Sequence, residues 1–258
     1  MMIKKQKQIY FAIISLVLLV SVYVYVYQPF WHGNKRPLSL SYYENTGLFM
    51  INPETILTSL ENGNTDAFQP DIRTWDDVYS EPILYDQLIS WSQSDNLKIV
   101  HALDDFIWKD SLDEWNFYAM YFNVDCQDNF IGFPGGGFVY LKVNFEKGKI
   151  VDTWREVYID PEYGFVAWGD EEKYPHPFLG RNSIDLSQVK ITAEDAIRIA
   201  EENGGKEARL GLQNRCSIHL YLRPQSYDGW VVDYGYSSGF KILIDPYTGK
   251  VIQLLRPI

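Results

Sequence analysis

Residues 240–253 read Phe-Lys-Ile-Leu-Ile-Asp-Pro-Tyr-Thr-Gly-Lys-Val-Ile-Gln, two β-patterned runs around a Pro-x-x-Gly turn. Such a segment is expected to fold back on itself as an antiparallel hairpin. A third run lies at 230–236, behind Ser237-Ser238-Gly239, so strands are predicted at 230–236, 240–244 and 251–255 in one antiparallel sheet. Ahead of them Thr192 stands where an N-cap belongs, with Glu194 and Asp195 placing negative charge on the first turn of a helix. Ala193, Ala196, Ile197 and Ala200 fall at i, i+3, i+4 and i+7, a narrow stripe of small apolar residues suited to close packing on a sheet. Gly204-Gly205 predicts the stop.

Taken in order, Ile191-Thr-Ala-Glu-Asp-Ala-Ile-Arg-Ile-Ala-Glu-Glu-Asn-Gly-Gly205 and Asp245-Pro-Tyr-Thr-Gly-Lys-Val-Ile252 resemble a PepSY domain, the module of peptidase propeptides and of stand-alone cell-envelope proteins. The resemblance covers about a quarter of the chain, and its motifs locate a fold better than a function. It implies a partner class, because such modules accompany secreted or envelope peptidases and restrain or regulate them, or act as envelope interaction domains. The 258 residues show no fused peptidase, so the resemblance implies regulation in trans.

Residues 9–27 form an uncharged apolar run of nineteen residues. At about 1.5 Å per residue it can cross a hydrocarbon core of about 30 Å. It is a membrane span or a signal sequence, and its bulky end, Val22-Tyr-Val-Tyr-Val-Tyr-Gln-Pro-Phe-Trp31, favours an uncleaved anchor. Lys4, Lys5 and Lys7 precede the run, which points the N-terminus inward and the body outward at the cell membrane. The chain carries a net charge of −11, and the only charges ahead of residue 28 are lysines, so the body is more acidic still. Phosphate backbones and anionic headgroups would repel it, and nucleic acid is not expected as a partner.

These features divide the chain into a cytoplasmic N-terminus (1–8), an anchor (9–27), a stalk with a short helix (28–70), a first α+β module (71–160), a connector (161–190) and the PepSY-like module (191–258). The short helix is predicted after Asn52-Pro53-Glu54, with Ile56, Leu57 and Leu60 before a stop at Gly63. Another is predicted from 80 to about 93, with Leu84, Leu88 and Trp91 as its stripe. Strands follow at 116–124, 138–145 and 150–159. Residues 137–151 and 239–252 share Gly-Phe, a strand, a turn, Gly-Lys and two β-branched residues. A diverged duplication, helix plus three-stranded sheet used twice, and convergence of two hairpins both explain this.

No pattern specifies catalysis. His32, His101, His176 and His219 stand apart, without metal-ligand spacing, and no cofactor or metal is expected. Gly135-Gly136-Gly137 lies between strands and does not open a helix, so it reads as a hairpin loop. The carboxylates Asp104-Asp105, Asp110 with Asp113 and Glu114, Asp125 with Asp128, and Asp170-Glu171-Glu172 read as solvated turns; a hydrolase pair or a calcium loop is the alternative. Asp160-Pro-Glu-Tyr-Gly164 begins like a calcium loop and lacks its later glutamate. Cys126 and Cys216 are candidates for a disulfide in an oxidising compartment, or are small buried hydrophobes.

The expected protein is thus a non-catalytic, membrane-anchored, extracytoplasmic interaction protein of α+β class that regulates or inhibits an envelope peptidase in trans. Its terminal strand 251–255 offers an edge for an added strand, and Trp230, Tyr247, Lys250 and Val251 are the candidate partner contacts. The alternative is a ligand-sensing or cell-wall-binding module using Trp108, Trp115, Trp154, Trp168 and Trp230, for which core packing is the competing explanation.

Overall fold

The computed structural model describes residues 45–71, 89–108, 111–127, 130, 132–146, 149–173, 183–223, 229–235 and 238–255. The predicted anchor, the first part of the stalk and residues 80–88 of the second predicted helix lie outside them. No helix among the described residues is long and apolar enough to cross a membrane.

Among the described residues ten strands make one antiparallel sheet, and the chain is α+β with few helices. In chain order they are β1 (Asn45–Met50), β2 (Gln69–Pro70), β3 (Asn116–Asp125), β4 (Gly136–Glu146), β5 (Lys149–Asp160), β6 (Phe165–Lys173), β7 (Ser217–Arg223), β8 (Gly229–Asp233), β9 (Lys241–Ile244) and β10 (Val251–Leu255). Their order across the sheet is β10-β9-β8-β7-β3-β4-β5-β6-β1-β2. The helices are α1 (Ile56–Glu61), α2 (Gln93–Phe106), α3 (Ala193–Ala200) and α4 (Lys206–Gly211), the last two joined through one wide turn, Glu201–Gly205.

Successive strand residues point to opposite faces, and β7 shows this cleanly: Ile218, Leu220 and Leu222 are buried while His219 is exposed. The buried face meets the helices. Ile99, Val100 and Leu103 of α2 and Ala193, Ala196, Ile197 and Ala200 of α3 join Phe122, Leu220, Trp230, Val232 and Ile242 in one apolar cluster. The small-residue stripe of α3 is its buried side, and Trp230 fixes the approach by donating its Nε1 hydrogen to the Ile191 carbonyl at 2.7 Å.

A helix followed by a four-stranded antiparallel meander occurs twice, α2-β3-β4-β5-β6 and α3/α4-β7-β8-β9-β10, and the two units abut through β3 and β7. The central pairing includes Tyr121 opposite Tyr221. Both long helices open with a complete capping box, Ser92 with Asp95 and Thr192 with Asp195. The helix N-termini also satisfy each other: the Gln93 amide donates to Glu194 Oε1 and the Ala193 amide to Gln93 Oε1, each at 2.7 Å. The repeating unit therefore has four strands, not three. Matching 137–151 to 239–252 lays β4 and β5 on β9 and β10, one strand out of phase with the meanders.

Other expectations need correction. Residues 45–50, placed in the stalk, form β1, and the connector 161–190 begins with β6. Trp91 lies on no helical stripe; it exchanges two backbone hydrogen bonds with Phe133, and the helix starts two residues later, where the Ser92 box caps it. Gly204-Gly205 kinks the helix without ending it. Gly204 has φ 113°, and Gly205 must lack a side chain because a Cβ there would sit 2.3 Å from the Tyr234 hydroxyl. That hydroxyl donates to Glu201, which also receives Arg209 Nε at 2.8 Å, and the chain resumes as α4.

Candidate functional site

The sheet has two unlike edges. β2 is two residues long and ends in Pro70, which has no amide hydrogen to offer a further strand. β10 pairs with β9 across one register shift, and its other side ends the sheet. Ile252 and Leu254 on it are 42% and 41% exposed, and β10 holds none of the charges or prolines that commonly protect an edge.

The β9–β10 turn holds this edge firmly. Asp245 Oδ1 accepts the amides of Tyr247 at 2.8 Å and Thr248 at 2.9 Å, and Gly249 takes φ 74°. The Pro246 carbonyl accepts the amides of both Lys190 and Ile191 at 3.0 Å, tying the turn to the start of α3. Tyr247 and Val251 are half-buried and Lys250 is exposed, so these three candidate contacts cluster beside the edge. Trp230 does not join them. It is fully buried under α3, and its size serves the core.

The predicted aromatic groove is likewise mostly interior. Arg155 on β5 is 1% exposed and forms a two-pronged pair with Asp170 on β6, Nε to Oδ1 at 2.7 Å and Nη2 to Oδ2 at 2.8 Å. Its guanidinium lies 4.6, 4.3 and 5.2 Å from the ring centres of Trp108, Trp115 and Trp168. These tryptophans enclose a buried cation and cannot stack on a ligand from solvent. Trp154 is half-buried and packs edge-on against Tyr118.

The carboxylate clusters disperse. Asp104 accepts the Leu112 amide at 2.7 Å, Glu114 pairs with Lys142, Asp125 accepts from the Ser217 hydroxyl at 3.1 Å, and Asp170 belongs to Arg155. Asp110 and Asp128 lie outside the described residues, as do His32 and His176. His101 is on α2 and His219 on β7, and no group of His, Cys, Asp or Glu among the described residues could hold a metal ion. Cys126 and Cys216 are joined by a disulfide across the β3–β7 seam.

One concave feature escaped the sequence reading. Gly135 precedes β4, and Gly136 and Gly137 open it between β3 and β5, in the register Tyr121–Gly137–Tyr158. The missing side chains let neighbours close in: a Cβ on Gly137 would fall 1.9 Å from the Tyr121 ring, which covers it, and one on Gly135 2.4 Å from the Ile159 carbonyl. Beside Gly135 and Gly136 a trough of about 110 Å³ remains, lined also by Tyr121, Asn123, Pro134, Tyr158, Asp160 and Glu162. The available signal was the period of two, which puts Tyr121 with Asn123 and Tyr158 with Asp160 on one face on either side of the glycines.

Asp160 is 7% exposed, accepts the Tyr163 amide at 3.1 Å, and has no cation paired with it among the described residues. Burial is the main reason its carboxyl is pushed up to about 6, with the Glu162 charge adding to it. Because the folded-state value exceeds the ordinary one, the folded chain keeps a proton that the unfolded chain releases. This contribution to stability is present below about pH 4 and is lost as pH rises through 6, at a cost of up to about 3 kcal/mol. Asp160→Asn is therefore expected to raise stability by about 1–3 kcal/mol at pH 7.5 and to lose that advantage at pH 4. Urea midpoints of both chains at the two pH values check this.

Comparison with protein families finds that residues 190–253 match the model described as peptidase propeptide and YPEB domain, PepSY. The match spans α3 to β10 apart from its last two residues, so the C-terminal region carries a PepSY domain. A search of curated proteins found no match. Among solved structures, a MaoC-like dehydratase from Phytophthora capsici covers 84% of this chain and 97% of its own at 12% identity. Its TM-score is 0.23, which carries no argument about fold or activity.

Proposed function

Because the C-terminal region carries a PepSY domain, we propose that this chain is a non-catalytic interaction protein, anchored in the cell membrane by residues 9–27 with its body outside the cytoplasm, that regulates or inhibits an envelope peptidase in trans. The PepSY domain supports the peptidase as partner class. The observation that carries the mode of contact is the β10 edge, a strand with exposed Ile252 and Leu254, a fixed turn and, among the described residues, no strand paired on its outer side. An extended segment of the peptidase adds there as an eleventh strand, with backbone hydrogen bonds for affinity and alternate side chains for specificity. Tyr247, Lys250 and Val251 shape the end of that groove.

The full chain in detergent is expected to capture a peptidase from solubilised envelopes and to change its turnover of a peptide substrate. The variant Ile252→Lys with Leu254→Lys should weaken that capture at least about tenfold, since lysines on an edge block further pairing, while leaving the melting temperature within a few degrees. Equal capture by the variant removes the edge from the mechanism. Captured material with no peptidase activity, or activity unaltered by the chain, removes the regulatory role.

A further inference from the structure

We propose that the glycine trough of β4 is a binding site for an alkylammonium group. Its floor is backbone, because Gly135 and Gly136 contribute no side chains. Its walls include two aromatic residues, Tyr121 and Tyr158, whose ring faces attract cations. Its lining includes the Asp160 carboxylate, the exposed Glu162, and Asn123, whose Oδ1 lies 2.6 Å from His219 Nδ1.

The charge balance decides the class of ligand. No basic residue among the described residues lines the cavity, and two carboxylates exclude an anion. A neutral ligand would leave Asp160 as it stands, more than nine-tenths buried and without a paired cation among the described residues, an arrangement that costs the fold stability at neutral pH. A group kept at such a cost beside a cavity marks a functional position better than a structural one. Asp160 already accepts from the Tyr163 amide at 3.1 Å and the Tyr158 hydroxyl at 3.5 Å, and a cation in the trough supplies the opposite charge that these neutral donors do not. The volume, about 110 Å³, is roughly that of three to four water molecules and well short of a drug-sized pocket, which suits the head of a short amine chain. This site lies across the sheet from the β10 edge and does not depend on the peptidase reading.

The probe is n-butylammonium chloride, titrated into the full chain in neutral detergent with tyrosine ring signals followed by NMR. A saturable shift of Tyr121 and Tyr158 is expected, with the uncharged isostere n-pentanol binding at least about tenfold more weakly. Asp160→Asn should lower butylammonium affinity at least about tenfold, and Glu162→Gln, at the rim, about two- to fivefold. If N-acetyl-lysine methylamide binds as tightly as butylammonium or tighter, the source is a peptide lysine; if it binds more weakly, the source is a free amine. The proposal is overturned by equal binding of pentanol, by shifts that do not saturate up to about 50 mM, or by affinities unchanged in both carboxylate variants.

Discussion

Asp170→Ala is expected to lower the unfolding free energy by about 3–5 kcal/mol. For a body of this size that is a fall in melting temperature on the order of 10 °C. The argument starts from Arg155, which is 1% exposed at the centre of β5 and cannot shed its proton. Removing Asp170 leaves a guanidinium among Trp108, Trp115 and Trp168 with both of its short hydrogen bonds to β6 gone. The rings attract the cation, but a quadrupole repays only about 0.5–2 kcal/mol per contact and does not replace a carboxylate. Arg155 is 1% exposed, so little water is at hand to solvate the charge in place of the carboxylate.

The control is to remove the pair together. Arg155→Met with Asp170→Leu takes both charges away and keeps the volume, and it is expected to recover most of the loss, to within about 1–2 kcal/mol of the parent. Chemical denaturation of the two variants and the parent checks both statements. A single variant within about 1 kcal/mol of the parent would show that the pair does not hold the sheet.

The C-terminal unit was legible because each of its signals is local. Thr192 and Asp195 form the cap they spell, the alanine stripe is buried, and the Asp245 turn makes its hairpin. What failed was non-local or non-alternating. In β6 the first four residues, Phe165, Val166, Ala167 and Trp168, are all buried, on both faces, and acidic residues follow, so no period of two marks the strand. β1 contains Gly47, a weak strand former, present because a Cβ would lie 2.4 Å from Trp168 Nε1 on the neighbouring strand. That demand comes from a partner more than a hundred residues away. β7 is different: Ser217-Ile-His-Leu-Tyr-Leu-Arg223 alternates plainly, and overlooking it made a four-stranded unit look three-stranded. The trough was hidden for a third reason, since its walls come from β3 and β5 and become neighbours only once the register across β4 is known.

Loss of the Cys126–Cys216 disulfide is expected to lower stability by up to about 4–5 kcal/mol, from the entropy returned to the unfolded chain when a ninety-residue loop is released. Its position adds a structural consequence. Cys126 follows β3 and Cys216 precedes β7, and the Cys126 amide donates to the Cys216 carbonyl at 2.9 Å, so the bridge closes one end of the seam that joins the two meanders. The β3–β7 ladder from Met120 to Asp125 continues beside it, and the reduced chain therefore still folds as one sheet. The double variant Cys126→Ala with Cys216→Ala, which leaves no lone thiol, should show a lower denaturant midpoint and a steeper dependence on denaturant, because the unfolded state it reaches is more expanded. Treating the parent with a reductant should reproduce both changes. A midpoint that falls with no change in slope would place the effect in the folded state, at the seam, and not in the unfolded chain. Under the proposed localisation outside the cytoplasm, an oxidising compartment would keep this bridge formed.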